Sequence, residues 1–227
     1  KEIIVDLNSN LSELEIKHCT LIPYDINLIK QTSLIIQSEL INVSIEHSIL
    51  GALEVSEGAS VQIRDSIIDA RANSNIAYSL RNNASFGGAL TIENSTVIGK
   101  VLTRKLELAS NCIFSASIIT KQKQEGCIRF SYYLQEGSSV PRPFNCQPHL
   151  SGNLQHIRPS FTSLRLGDAG YCQLSEFCVS EIAAGADDES EMGVFHHLYQ
   201  PQKIANLRTR LDEYLRFGLE AGIFYAS

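Results

Sequence analysis

The sequence contains no tryptophan and one methionine, and none of its six cysteines forms a Cys-x-x-Cys pair. The missing pair excludes the common zinc-ribbon spacing. No stretch approaches the roughly 20 consecutive apolar residues that a membrane-spanning helix needs, so we expect any membrane contact to be indirect. Lysine and arginine number 19 against 25 aspartate and glutamate residues. The chain therefore lacks the basic surface typical of proteins that bind nucleic acid.

Motifs of common enzyme classes are also missing. The sequence has neither a Gly-rich phosphate-binding loop nor a Gly-x-Ser-x-Gly nucleophile elbow. We expect no cofactor and no bound metal. The chain begins at Lys1 with "KEIIVDLNSN", without an initiator methionine or a secretory leader, and this start predicts an excerpt of a longer polypeptide or a processed one.

What the sequence does contain is a repeated string with the pattern apolar-x-apolar-x-x-small-x-apolar. Alternation at its first and third positions places both side chains on one face of a β-strand, and the next two residues turn the chain. A second short strand follows. The five copies are Leu14–Leu21, Val43–Leu50, Val61–Ile68, Leu90–Val97 and Leu106–Ile113.

Repeats at intervals of roughly 16 to 29 residues are typical of solenoids built from stacked β-rungs. We predict an all-β fold in which residues 1–135 form a right-handed parallel β-helix with unequal loops. The alternative is an antiparallel sandwich. The predicted interior stack is Ile16, Ile45, Ile63, Ile92 and Leu108. The predicted corner residues are His18, His47, Asp65, Asn94 and Ser110, each followed by a small residue: Cys19, Ser48, Ser66, Ser95 and Asn111.

The C-terminal part has a different pattern. Residues 136–200 predict an irregular, loop-rich segment that contains a short helical run over Ser180–Ala184. Residues 201–227 predict an amphipathic helix that starts near Pro201 and ends near Gly218, followed by an apolar tail. An apolar stripe of this kind requires a cover, either the solenoid or another subunit. The predicted partner-docking residues are Ile204, Leu207, Leu211, Leu215, Ile223 and Phe224.

Three carboxylates in the repeats are candidates for glycosidic-bond cleavage: Asp65, Asp69 and Glu93, with Arg64 beside them. Acid–base hydrolysis needs two cooperating carboxylates about 5 to 9.5 Å apart. The corner column contains only one acid, so we predict solvated corner residues and a protein that is not an enzyme.

Two further features permit more than one interpretation. The string "GADDESEMGVFHH" (185–197) offers oxygen and imidazole ligands, but its spacing matches neither an EF-hand loop nor His-Glu-x-x-His, and an acidic helix start explains it better. Cys172 and Cys178 are close enough in sequence to form a disulfide across a loop or to remain free.

The strings "GADDESEMG" and "LRTRLDEYLRFGLEAGIF" within residues 157–227 resemble the end of a bacterial family of phage-tail-like proteins associated with contractile injection systems. The resemblance implies a structural component at or near the baseplate, whose partners are other baseplate or tail proteins in a multi-subunit complex. It further implies a location in the bacterial cytoplasm, inside a tail-like particle. It supplies no catalytic residues.

Two other functions fit a β-solenoid. A carbohydrate-binding or carbohydrate-cleaving tailspike would need an acidic groove lined by aromatic side chains, which a chain without tryptophan supplies poorly. A surface adhesin would need an export signal upstream of this sequence.

Overall fold

The computed structural model describes residues 2–7, 9, 11–22, 32–81, 85–148 and 157–222. Its strands, numbered in chain order, form three sheets. Sheet A contains β1 (Ile3–Val5), β4 (Thr32–Ile36), β7 (Ala52–Val55), β10 (Ile76–Ser79), β13 (Lys100–Thr103) and β16 (Ile118–Thr120). Sheet B contains β2 (Glu13–Lys17), β5 (Asn42–Glu46), β8 (Ser60–Arg64), β11 (Ala89–Glu93), β14 (Leu106–Ser110), β17 (Cys127–Arg129) and β19 (Pro143–Phe144). Sheet C contains β3 (Thr20–Leu21), β6 (Ile49–Leu50), β9 (Ile67–Asp69), β12 (Thr96–Ile98), β15 (Ile113–Phe114) and β18 (Tyr132–Tyr133).

The strand order shows that the chain is a parallel β-solenoid with three faces. Neighbours in a sheet are three strands apart along the chain, except at the end of sheet B, where β17 pairs with β19. Every strand pair in the three sheets is parallel, so one turn of the coil visits all three faces and the next turn stacks upon it. The predicted parallel coil is confirmed and the antiparallel sandwich is excluded. Sheet B continues to Phe144, beyond the end at residue 135 that the sequence predicts.

The interior of the coil is filled by aliphatic side chains in register. Four of the five residues predicted for one stack pair directly along sheet B and are buried: Ile16, Ile45, Ile63 and Ile92. The fifth prediction, Leu108, is wrong, because Ile92 pairs with Ala109. A bulge at Glu107 shifts the register of β14, so Leu108 pairs with Thr91 and is partly exposed, while Ala109 enters the core.

The corner between sheets B and C is the most regular part of the coil. One residue of each turn adopts the left-handed conformation there, with φ between 45° and 56°. Because of the β14 bulge, the corner residue of the fifth turn is Asn111 and not Ser110, and the small residue after it is Cys112 and not Asn111. The column reads His18, His47, Asp65, Asn94, Asn111, Phe130 and Asn145.

The small residues after the corner form a hydrogen-bonded ladder. The Ser66 hydroxyl donates to the Arg64 carbonyl oxygen at 2.6 Å and accepts the Ser48 N–H at 3.1 Å. Ser48 accepts the Cys19 N–H in the same way, and Ser95 accepts the Ser66 N–H. Each hydroxyl therefore links its own turn to the preceding one, and backbone groups that turn the corner are satisfied.

Residues 157–199, here called the strap, cover the outer face of sheet C. Tyr171, Cys172 and Val194 pack on one part of this face, which is formed by Ile67 and Ile98. Further along the coil, a second cluster joins strap and sheet through Leu174, Ile182, Met192, Ile113 and Tyr132. The strands of sheet C direct these apolar side chains away from the coil, and the strap buries them.

The α-helices of the described residues lie near the C-terminus. Helix α1 (Ser180–Ala183) and a short 3₁₀ helix (His196–Leu198) belong to the strap, and α2 (Gln200–Tyr214) follows it. Pro201 lies in the first turn of α2, as predicted. The expected end near Gly218 is wrong, because Leu215 is already extended and caps the helix through its N–H to Leu211. Among the described residues, no helix has both the length and the apolar composition needed to cross a membrane.

Candidate functional site

The predicted docking stripe lies on α2, and the described residues leave it largely uncovered. No residue of α2 is buried, and Leu207 is 47% exposed. Ile204 and Leu211 are partly exposed, as is Leu215 just beyond the helix. Three of these four side chains lie on successive turns of one helix, so they form a continuous apolar surface. The other two predicted residues, Ile223 and Phe224, lie outside the described residues.

Exposed apolar side chains continue past the end of α2. Tyr214 is 85% exposed, Leu219 is 60% exposed, and Phe217 is fully exposed. The predicted docking residues did not include these three, although Tyr214 follows Leu211 by three residues and Leu219 follows Leu215 by four. We use the name α2 surface for the apolar side chains at 204, 207, 211, 214, 215, 217 and 219.

Polar contacts hold the start of α2 against the strap. The Tyr199 hydroxyl donates to Asp188 Oδ2 at 2.7 Å, and Gln202 Nε2 donates to the Glu189 carbonyl oxygen at 2.7 Å. Arg208, one turn and a half further on, forms an ion pair with Glu176. The first half of α2 is therefore anchored, while its second half projects with its apolar side chains exposed.

A cavity of about 130 Å³ lies between the first turns of α2 and the strap. Its walls are mainly aliphatic, and its polar groups are Glu191, the Glu176–Arg208 pair, Ser175 and Gln200. Leu174, Ala183, Pro201, Ile204 and Ala205 form the aliphatic part. Sequence patterns gave no sign of this cavity, because it depends on contacts between α2 and strap residues distant in sequence.

Glu191 is the unusual member of the cavity lining. Its side chain is buried, with 1% of the residue exposed, and Oε1 has no hydrogen-bond partner among the described residues. Burial raises the pKa of the Glu191 carboxyl to about 7, although a backbone hydrogen bond from Gln200 opposes the shift. Glu191 thus lines the cavity, but its carboxyl group is almost completely shielded from it.

Two of the three repeat carboxylates are occupied by other protein groups. Asp69 accepts the Tyr171 hydroxyl at 2.6 Å and the Arg71 N–H at 2.6 Å, so it joins strap to coil. Glu93 pairs with Arg64 at 2.7 Å on the outer face of sheet B. The third, Asp65, lies at the corner beside two imidazoles, with His47 Nε2 at 3.9 Å and His197 Nδ1 at 4.0 Å. The geometry does not present these carboxylates as a free acid–base pair.

The acidic string 185–197 lies beside the same corner. Oxygen atoms of Asp187 and Asp188 and a ring nitrogen of His196 lie within 4.8 Å of one another. Each of them already has a protein partner: Asn111 donates to Asp187 at 2.8 Å, Tyr199 donates to Asp188, and Ser190 contacts His196 at 2.7 Å. The cluster therefore joins the strap, the corner column and the start of α2, and it is not the helix start that the sequence predicted.

The thiol groups complete this part of the molecule. All six cysteines are free, so Cys172 and Cys178 are not bonded to each other. Burial raises the pKa of Cys172 to about 12, and burial also raises that of Cys178, so both thiols are protonated at neutral pH.

In the described part of the chain, α2 thus contributes both an exposed apolar surface and a wall of a small cavity. Comparison of the chain with protein-family models, with curated proteins and with solved structures gives no match.

Proposed function

We propose that this chain is a non-enzymatic structural protein that attaches to another protein subunit through the α2 surface. The observation that carries the proposal is the projection of α2, which has no buried residue although it bears an apolar stripe. Complete burial of an exposed leucine or isoleucine side chain contributes about 1.5–3 kcal/mol, so a partner that covers the α2 surface gains apolar burial.

The coil acts as a stiff spacer in this proposal. Its interior is continuous from Val5 to Cys146, and the strap is fixed to one of its faces by two apolar clusters. We infer a right-handed coil, because connections between parallel strands are overwhelmingly right-handed. The engagement of Asp69 and Glu93 by Tyr171 and Arg64 supports a role without catalysis.

The setting we propose is a phage-tail-like particle in the bacterial cytoplasm. The resemblance of residues 157–227 to baseplate-associated proteins is the support for it, and the partner of α2 is then another baseplate or tail protein. A helix that projects from a rigid coil suits attachment at a fixed place in such an assembly.

The test uses Leu211→Asp with Asn206→Asp as its matched control. Both substitutions add one negative charge to α2, but residue 206 lies on the side opposite the stripe. We expect tagged wild-type and Asn206→Asp chains to be incorporated into tail-like particles made by the source bacterium, whereas Leu211→Asp is excluded. Thermal unfolding of the purified chain should change little for either variant, because Leu211 is not part of the core.

Normal incorporation of Leu211→Asp would overturn the docking role of α2. If wild-type chain purifies away from tail-like particles under all conditions of induction, the proposed setting is wrong.

A further inference from the structure

The apolar side chains of α2 have the spacing of a helix that pairs with another helix. Ile204, Leu207, Leu211 and Tyr214 follow one another at intervals of three, four and three residues, which is the a and d pattern of a heptad repeat. Leu207 and Tyr214 are exposed, and Ile204 and Leu211 are partly exposed. The helix thus carries two a–d pairs in one seam, and a second helix is the element that packs into such a seam.

The two flanks of this seam have different surroundings. On one side, the e position is Arg208, whose charge is balanced by its ion pair with Glu176 of the strap. On the other side, the g positions are Lys203 and Arg210. Both are exposed, and neither forms an ion pair within the described part of the chain. The open flank of the seam therefore carries two positive charges without anionic partners.

A second copy of the chain is a poor occupant of this seam. In a parallel pair, Lys203 would face Arg208 of the other copy, and in an antiparallel pair the cationic flanks of the two copies would face each other. The carboxylates of α2 would not relieve this repulsion, because Asp212 and Glu213 occupy the b and c positions, away from the seam. Like charges across the seam thus oppose self-association and favour a partner of opposite charge.

We propose that the occupant of the α2 surface is an amphipathic helix of the partner protein, with carboxylates along the edge that meets Lys203 and Arg210. Its aliphatic side chains pack between Leu207, Leu211 and Tyr214, and its glutamate or aspartate residues supply the anions that the open flank lacks. Because the strap occupies the opposite flank, the partner helix approaches from the side of Lys203 and Arg210. The inference rests on the proposed function, since it names the kind of protein segment that covers the same surface.

Two synthetic helical peptides test this pairing with the isolated chain. Both repeat the same heptad with leucine at a and d, and they differ only in having glutamate or lysine at every e and g position. We expect the chain to bind the acidic peptide about tenfold more tightly than the basic one, measured by fluorescence anisotropy of labelled peptide. The chain has a net charge of −6, so non-specific attraction would favour the basic peptide instead.

Reversal of the flank charges should exchange this preference. Lys203→Glu combined with Arg210→Glu should weaken binding of the acidic peptide by about tenfold and strengthen binding of the basic one, because flank attraction becomes repulsion and the reverse. The matched control is Lys100→Glu combined with Lys123→Glu, which makes the same charge change at exposed positions of the coil and should leave the preference unchanged. Leu211→Asp should abolish binding of both peptides, because it places a charge in the seam.

Equal binding of the two peptides, absence of acidic-peptide binding, or an unchanged preference after reversal of the flank charges would each overturn the proposal. Self-association of the wild-type chain that Leu211→Asp abolishes, measured by sedimentation, would overturn it in favour of a second copy.

The outcome is separate from that of the docking test. If Leu211→Asp is excluded from particles while the two peptides bind equally, α2 docks on a surface other than an acidic helix. If the acidic peptide binds selectively and Leu211→Asp is incorporated normally, the helix-binding seam stands and the role of α2 in the particle fails.

Discussion

At the residue scale, the corner between sheets B and C shows how a short pattern specifies a turn. The left-handed conformation costs roughly 1–2 kcal/mol for most residues and less for asparagine and aspartate, whose side chains hydrogen-bond locally. Three asparagines and Asp65 occupy this position, but two histidines and Phe130 also do. The conformational cost at Phe130 is offset by an edge-to-face contact with Phe144, whose ring centroid is 5.7 Å away.

The sequence predicts four turns of this corner correctly and misplaces the fifth by one residue. Leu106 and Leu108 alternate as an ordinary strand would, so the alternation gives no sign of the bulge at Glu107. The better signal was the corner itself. Asparagine favours the left-handed conformation and cysteine matches the Ser–Cys ladder, so the pair Asn111–Cys112 sets the register that the leucines obscure.

The ladder gives a prediction for Ser66. Ser66→Ala removes a buried hydroxyl that accepts the Ser48 N–H and donates to the Arg64 carbonyl oxygen, so we expect a loss of about 1–3 kcal/mol in the free energy of unfolding. Ser66→Cys should cost less, because Cys112 occupies the equivalent place and its thiol contacts the carbonyl oxygen two residues earlier. Urea unfolding measures both variants, and an alanine variant as stable as the cysteine variant would contradict the role of the ladder.

At the element scale, the strap shows which part of the fold local sequence patterns do not predict. Strands of the coil are specified by local alternation, but the course of residues 157–199 depends on contacts such as Tyr171 to Asp69, which are far apart in sequence. The local pattern therefore predicts an irregular segment and gives no sign that it covers sheet C. The α2 stripe could be read directly, since it depends only on helical spacing.

Close contact between strap and coil at Gly193 gives a second prediction. This residue has a φ of +97°, and a Cβ placed there would lie 2.8 Å from Thr96 Oγ1 and 3.0 Å from Ile113 Cδ1. We expect Gly193→Ala to weaken strap docking by about 1–3 kcal/mol more than Gly167→Ala, because overpacking adds to the backbone strain. Gly167 is the matched control, since it lies in the same strap with φ +100° and has open space around its Cβ position.

Hydrogen exchange measures the effect of these substitutions. Amides of residues 171–194 should exchange faster in Gly193→Ala than in Gly167→Ala, while amides of the inner strands of sheet B keep their protection. Equal exchange in the two variants would show that the strap does not depend on the close approach at Gly193.

At the scale of the whole molecule, Glu191 links stability to pH. Burial raises the pKa of its carboxyl from 4.5 to about 7. Between pH 4.5 and pH 7, the folded chain therefore holds a proton that the unfolded chain has released. Stability contributed by the protonated form is fully present below pH 4.5, falls as pH rises towards 7 and levels off above it. The decline attributable to Glu191 is on the order of 3 kcal/mol.

Replacing the carboxyl by an amide should remove this decline. We expect the difference in unfolding free energy between Glu191→Gln and wild type to increase in favour of the variant as pH rises from 4.5 to 7, measured by urea unfolding at fixed ionic strength. Glu189→Gln, at an exposed position, should show no such trend. A constant difference for Glu191→Gln across this range would mean that the carboxyl is not held protonated by burial.

Because the corner residues stack in register, the length of the coil is fixed by its number of turns. Successive turns are separated by one strand spacing of about 4.8 Å, and the seven corner residues from His18 to Asn145 mark six such steps, about 29 Å in all. Because each step is set by backbone hydrogen bonds, loss or gain of one full turn would change the length of the coil by one fixed increment. Evolution of such a chain can therefore adjust that length in units of a turn while the α2 surface keeps its own shape.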